Sequence, residues 1–210
     1  MIAKSYVRLL LLFALLAAGS VLAAATTPDT LVKDVTNQVL TTLRQDKGIQ
    51  SGNRQRAISV IEGTVAPHFD FSRMTSLAVG RGWRQADANQ RSALTAAFRT
   101  LLVRTYANAL VAYRNETVSF KPSRQGATGD EVVVHTQIEK PGASPIALDY
   151  SLAKSQQQWK VFDVAIAGVS LVTNYRTSFA DELERGGVDG LIKSLQEKNR
   201  QLEVAPRPAA

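Results

Sequence analysis

The apolar residues of this chain change period twice, and that change restricts the fold more than any other feature. Leu31, Val35, Val39 and Leu43 recur every four residues, with Val32 and Leu40 widening the stripe. That is the signature of an amphipathic helix, here from about Asp29 to Asp46. Gly48 to Asn53 reads as a turn, and Ile58, Ile61 and Val65 mark a second short helix ended by Pro67. The run Phe69-Asp70-Phe71-Ser72-Arg73-Met74 with Leu77 predicts another short helix stopped near Gly80, with Trp83 anchoring the connection that follows. A long helix is expected from Ala88 to Tyr113, on the face built by Leu94, Phe98, Leu101, Leu102, Tyr106 and Leu110. Asp87 and Gln90 have the spacing of a reciprocal cap. Its 26 residues would run about 39 Å.

Beyond it the period falls to two. Val118 and Phe120 belong to one strand, Val132, Val134, Thr136 and Ile138 to a second, and Ile146, Leu148, Tyr150 and Leu152 to a third. Trp159 to Ile166 forms a fourth, with turns at Gly126 to Asp130, Pro141-Gly142 and Gln156 to Gln158. Strict alternation over several short runs predicts an antiparallel meander with one apolar face. Helical spacing then returns in Leu171, Val172, Tyr175, Phe179 and Leu183, is interrupted at Gly186-Gly187, and resumes from Val188 to about Lys198. The expected fold class is therefore α+β: a four-stranded antiparallel sheet covered by helices.

Residues 1–25 stand outside that plan. Lys4 and Arg8 precede an apolar run from Leu9 to Leu22, and Ala23, Ala24 and Ala25 offer small residues for cleavage. This is the pattern of a secretory signal peptide, and the apolar run is short for a membrane span of about 20 residues. A retained anchor is the alternative, and cleavage after Ala23 or after Ala25 fits equally well. The expected organisation is a leader over 1–25, one domain over 26–203 and a flexible tail over 204–210.

Composition narrows the chemistry. The chain has no cysteine and two histidines, His68 and His135. Disulfides, thiolate-held metals, a cysteine nucleophile and a three-histidine metal centre within one chain are thereby excluded. Gly168-Val169-Ser170 lacks the second glycine of a nucleophile elbow. Asp149 and Asp163 each lie in a strand and read as solvent-face residues or turn partners, and His135 falls on the polar face of its strand. No glycine-rich loop leads into Lys and Ser/Thr to cradle a phosphate. Enzymatic function, a metal and a cofactor are not expected. The net charge of +7 loses two units with Lys4 and Arg8, and the remaining charges are scattered. A nucleic-acid binder needs a concentrated basic patch, so nucleic acid is not an expected partner. The aromatic residues spread along the chain fit either a packed core or a hollow one, because periodicity does not distinguish the two.

Three blocks carry a resemblance. The first is Phe69-Asp70-Phe71 with Arg73-Met74, followed by Val79-Gly80-Arg81 and Trp83. The second runs from Phe98 through Leu101-Leu102-Val103-Arg104-Thr105-Tyr106-Ala107 to Leu110. The third joins Asp149-Tyr150, Trp159-Lys160-Val161-Phe162-Asp163-Val164, Gly168-Val169-Ser170-Leu171-Val172 and Asn174-Tyr175-Arg176 with Phe179. In this order and spacing the chain resembles the MlaC family of periplasmic phospholipid-binding proteins, also called the toluene-tolerance family, from about Leu31 to Lys198. It departs from the pattern at Ala165-Ile166-Ala167, where the family often has an acidic residue.

The resemblance implies an NTF2-like sheet, a helical subdomain and an apolar cavity between them. It implies a periplasmic carrier whose cargo is glycerophospholipid. The implied partners are an outer-membrane lipoprotein–porin complex and an inner-membrane ABC transporter complex with its lipid-binding subunit. Carried onto this chain, the candidate cavity walls are Phe71, Met74 and Leu77 of the short helix and Phe98, Leu101, Leu102, Tyr106 and Leu110 of the long one. The sheet adds Val134, Leu148, Tyr150 and Val164, and the return helix region adds Val169, Val172 and Tyr175. Arg81, Arg84 and Arg176 are candidates to meet a headgroup or an acidic partner. A non-catalytic NTF2-like adaptor with a solid core is the alternative. The physics explains why a carrier of such cargo is needed: a buried methylene is worth about 0.8 kcal/mol, so exposing the roughly 30 of a diacyl lipid costs on the order of 20 kcal/mol.

Overall fold

The computed structural model describes residues 26–121, 124–125, 129–156 and 158–204. The expected leader, residues 126–128 of one turn, Gln157 of another, and 205–210 of the expected tail lie outside the described residues.

Helix α1 (Pro28–Gln45) starts where the Thr27 hydroxyl accepts from the Thr30 amide and Pro28 takes the first helical position. Both features satisfy or remove backbone donors that a helix start leaves orphaned. Asp46 ends α1, and its carboxylate accepts from the Ile49 amide to begin α2 (Lys47–Gln50). The expected turn at Gly48 to Asn53 is thus corrected to one helical turn followed by a tighter bend. Helix α3 (Arg54–Val60) widens into a π turn (Ile61–Val65) and tightens into a 3₁₀ turn (Ala66–His68) at Pro67. Asp70 caps α4 (Phe71–Val79), which stops at Gly80 with φ of 60°. Trp83, expected in a connection, lies in the short helix α5 (Arg81–Gln85).

The long helix α6 (Ala88–Val111) has 24 residues, ending two short of the expected Tyr113. The reciprocal cap is present: the Asp87 carboxylate accepts from the Gln90 amide, and the Gln90 side chain accepts from the Asp87 amide. The four expected strands are β1 (Thr117–Phe120), β3 (Glu131–Glu139), β4 (Ile146–Ser155) and β5 (Gln158–Ile166). Two-residue strands extend them: β2 (Arg124–Gln125) beside β3, and β6 (Val169–Ser170) beside β5. The resulting order is β1-β3-β4-β5-β6, with every paired neighbour antiparallel.

A bulge shifts the register at Ser151/Leu152. Ser151 faces Asp163 and Leu152 faces Val161, leaving Phe162 as the extra residue. An inserted residue reverses the alternation beyond it. Val161 and Val164, three apart, therefore both point to the inner face and are buried. On the outer face His135 Nδ1 lies 3.0 Å from Asp149 Oδ1 across β3 and β4, and both side chains remain partly exposed.

Helix α7 (Leu171–Val204) returns over the helical layer and breaks at Gly187, whose φ of 62° and ψ of −161° are not helical. The second limb continues past the expected end at Lys198. Two long-range contacts hold that end: the Arg104 guanidinium donates to the Asn199 carbonyl, and the Asn199 amide donates 2.8 Å to the Ala97 carbonyl.

Candidate functional site

The interior is divided rather than continuous. One apolar core is helical and centres on Met74, Leu94, Phe98, Leu101, Phe179, Leu191 and Leu195. A second lies on the sheet, with Val32, Val132, Val134, Leu152, Val161 and Val164. A third packs α6 against the N-terminal helices through Leu43, Ile49, Ala57, Ile61, Val103 and Ala107. Phe69 packs against both the helical core and the sheet core. The long helix lies along α3, α4 and α7, whereas the main helical contacts of the sheet come from α1, α4 and the start of α7.

The long helix loses its cover along its length. Leu94, Phe98 and Leu101 are buried on the face toward α4 and α7. One turn further on that same face Thr105 is half-buried, and beyond it Ala109 and Ala112 are exposed. The opposite side is still held there by Val103 and Ala107. The C-terminal third of α6 is therefore anchored on one side and uncovered on the other.

Tyr150 marks the facing wall. On the central strand it is paired with Val134 and Val164, both buried, so its ring points to the inner side. Desolvation alone pushes its phenol up to about 12, yet the side chain keeps accessible surface. Tyr150 is thus desolvated but not closed off, unlike the two valines beside it. Leu148, two positions along the strand, is likewise half-buried. On the helical side burial, with Tyr175 as neighbour, pushes Tyr106 up to about 12. Burial also raises Tyr175, against the hydrogen bond it makes with Thr105. Tyr175 packs edge-on to Phe98 with ring centroids 4.9 Å apart.

The candidate wall residues sort onto these surfaces. Phe71, Met74, Leu77, Phe98, Leu101, Leu102, Tyr106, Val172 and Tyr175 belong to the helical core or its margin. Val134, Leu148, Tyr150 and Val164 belong to the sheet core. Leu110 packs at the third core, and Val169, 58% exposed on β6, is a surface residue. Val169 pairs in register with Ile166 of the sheet core, at the exposed edge of that face.

Arg81 and Arg84 are exposed on α5. Arg176 is exposed too, but its Nε donates 2.8 Å to the Leu77 carbonyl, tying α7 to α4. Two arginines that the sequence did not mark as site candidates sit on aromatic rings. Arg73 lies 3.7 Å from the Phe162 centroid and pairs with Glu131, and Arg99 lies over Phe71 and pairs with Glu62. Their partners are distant in sequence, so no local spacing signals them. Among the described residues no cluster of His, Asp and Glu has the makings of a metal site. Nor is any described helix long and apolar enough to cross a membrane. Asp163 holds the fold together locally, because its carboxylate accepts from the Val172 amide and the Ser170 hydroxyl and so caps α7.

The family described as MlaC protein matches residues 33–197. The chain belongs to the MlaC family. It is similar to the intermembrane phospholipid transport system binding protein MlaC of Haemophilus influenzae, at 25% identity over 183 residues and 85% of each chain. It is also similar to toluene tolerance protein ttg2D of Pseudomonas putida, at 26% identity over 180 residues, covering 85% of this chain and 83% of the relative. Among solved structures it matches a phospholipid-binding protein from Ralstonia solanacearum determined in complex with a phospholipid. That match has a TM-score of 0.78 and 40% identity, over 83% of this chain and 98% of the other. All three motif blocks lie inside the span matched to MlaC, so the family resemblance read from them is correct.

Proposed function

We propose that this MlaC-family protein is a periplasmic phospholipid carrier that holds acyl chains between the helical layer and the inner face of the sheet. The observation that carries the reading is the structural match to a phospholipid-bound protein at 40% identity. The separate helical and sheet cores, the uncovered end of α6 and the half-buried Tyr150 support it physically. Hydrocarbon entering such a space gains burial without any chemistry, so the cargo needs neither a catalytic group nor a cofactor.

In this reading residues 1–25 direct export and are removed. The mature protein passes glycerophospholipid between an outer-membrane lipoprotein–porin complex and an inner-membrane ABC transporter complex with its lipid-binding subunit. Arg81 and Arg84, exposed beside each other on α5, are the docking charges. Native mass spectrometry of the exported protein, gently purified, tests the carrier reading. A mass excess equal to one or two phospholipids supports it. Bare protein would favour a non-catalytic adaptor and overturn the carrier.

A further inference from the structure

Away from Lys154 at its edge, the inner face of the sheet is hydrocarbon with two hydroxyls among the described residues, Thr136 and Tyr150. Thr136 is fully buried and its hydroxyl is already committed, donating 2.7 Å to the Leu148 carbonyl. Tyr150 is different. No hydrogen bond from a described residue meets its hydroxyl. Its neighbours in register, Val134 and Val164, are closed off at 0% and 7% exposure. The phenol extends beyond those valines and keeps accessible surface, so its polar tip is the part that a bound acyl chain would meet. Water can meet that hydroxyl in the free protein, but once hydrocarbon covers it an unpaired donor is costly, because no partner offsets its desolvation.

A glycerophospholipid carries one group that answers this need inside hydrocarbon. Its two ester carbonyls lie at the top of the acyl chains, accept hydrogen bonds, and are uncharged. We infer that the Tyr150 hydroxyl donates to an ester carbonyl of the bound lipid, making this wall selective for ester-linked over ether-linked chains. The inference rests on the carrier reading and deepens it. Desolvation keeps the phenol protonated, hence a donor, far above neutral pH. The apolar residues around it are indifferent to the linkage, since a methylene contact is the same in both lipids. Linkage selectivity would therefore come from this one atom.

The test is competitive loading of the delipidated protein with a diacyl phospholipid and a dialkyl ether analogue of matched headgroup and chain length. Bound species are counted by native mass spectrometry. One neutral hydrogen bond, together with the penalty for leaving its donor unpaired, predicts a diacyl preference of about five- to tenfold in the wild type. Tyr150→Phe keeps the ring and should bring the ratio to about one. It should do so by weakening diacyl loading while dialkyl loading stays level or improves, which a purely structural role for Tyr150 would not produce. Equal loading of the two lipids by the wild type would leave the hydroxyl to water and overturn the inference. Retention of the preference in Tyr150→Phe would overturn it as well. Failure of both lipids to load the wild type would instead remove the carrier reading, and the inference with it.

Discussion

Two substitutions of the same chemistry, one strand apart, separate a hollow from a solid core. Val134 on β3 is 0% exposed, whereas Leu148 on β4 is half-buried, and both belong to the inner face. Val134→Asp places a carboxylate where water does not reach and no cation waits, a change that costs about 3–5 kcal/mol. For a domain of this size about 1 kcal/mol moves Tm by about 2–4 °C, so Tm should fall by about 10 °C or more. Leu148→Asp should behave otherwise. Beside an unfilled hollow its carboxylate keeps part of its hydration, so the loss is mainly packing, about 1 kcal/mol. Loading, however, must strip that water, at several kcal/mol, which lowers lipid occupancy by about a hundredfold or more. Thermal melts and lipid extraction on the same two variants read both effects. If Leu148→Asp melts as low as Val134→Asp, the two residues share one solid core and the argument for a hollow fails. If it folds and retains its lipid, Leu148 does not face the cargo.

Three further outcomes follow from named contacts. Tyr106 and Tyr150 have folded pKa values pushed up to about 12. They support the fold fully below the unfolded value of about 10 and lose that support as pH rises from about 10 to about 12. Urea midpoints should fall across that window, less steeply in Tyr150→Phe. Asp163→Ala removes the acceptor for the Val172 amide and the Ser170 hydroxyl. The lost cap should cost about 2 kcal/mol, seen as a Tm lowered by about 4–8 °C. Arg81→Glu and Arg84→Glu should leave co-purified lipid unchanged but slow its transfer to partner complexes, and wild-type transfer should weaken with salt. Normal transfer by both variants would remove these arginines from docking.

What sequence made legible was whatever depends on local spacing. Asp87 and Gln90 stand three apart and form the cap they predict, and the alternation from Val118 to Ile166 is the sheet. Gly186-Gly187 marks the break in α7 because the left-handed backbone at Gly187 suits glycine. What escaped depends on partners far along the chain. Arg176 reads as a free surface cation until the Leu77 carbonyl, 99 residues away, takes its Nε–H. The bulge at Phe162 re-phases β5 without any local mark, and the four residues of α2 are too few to show a period. Val169 sits on the edge strand β6, where its 58% exposure depends on the sheet's border and not on its own spacing.

The separation of the sheet core from the helical core has a physical source in β5. The Asp70 amide donates 2.8 Å to the Val161 carbonyl, and Phe69 bridges to the same residue. Phe162, displaced by the bulge, leaves the sheet core and carries the Arg73 guanidinium at the helical margin. Asp163 then caps α7. Three consecutive residues of one strand thus tie the sheet to α4 and α7. Among the described residues the neighbouring strand makes no comparable tie: Tyr150 and Leu148 of β4 stop at half-burial within the sheet core. Packed interiors favour closing such gaps, since each unmet apolar surface forfeits dispersion and burial. Fastening one strand so firmly while the next stays half-buried leaves apolar surface on β4 that the proposed cargo would cover. Hydrocarbon is the cargo whose burial there is most favourable.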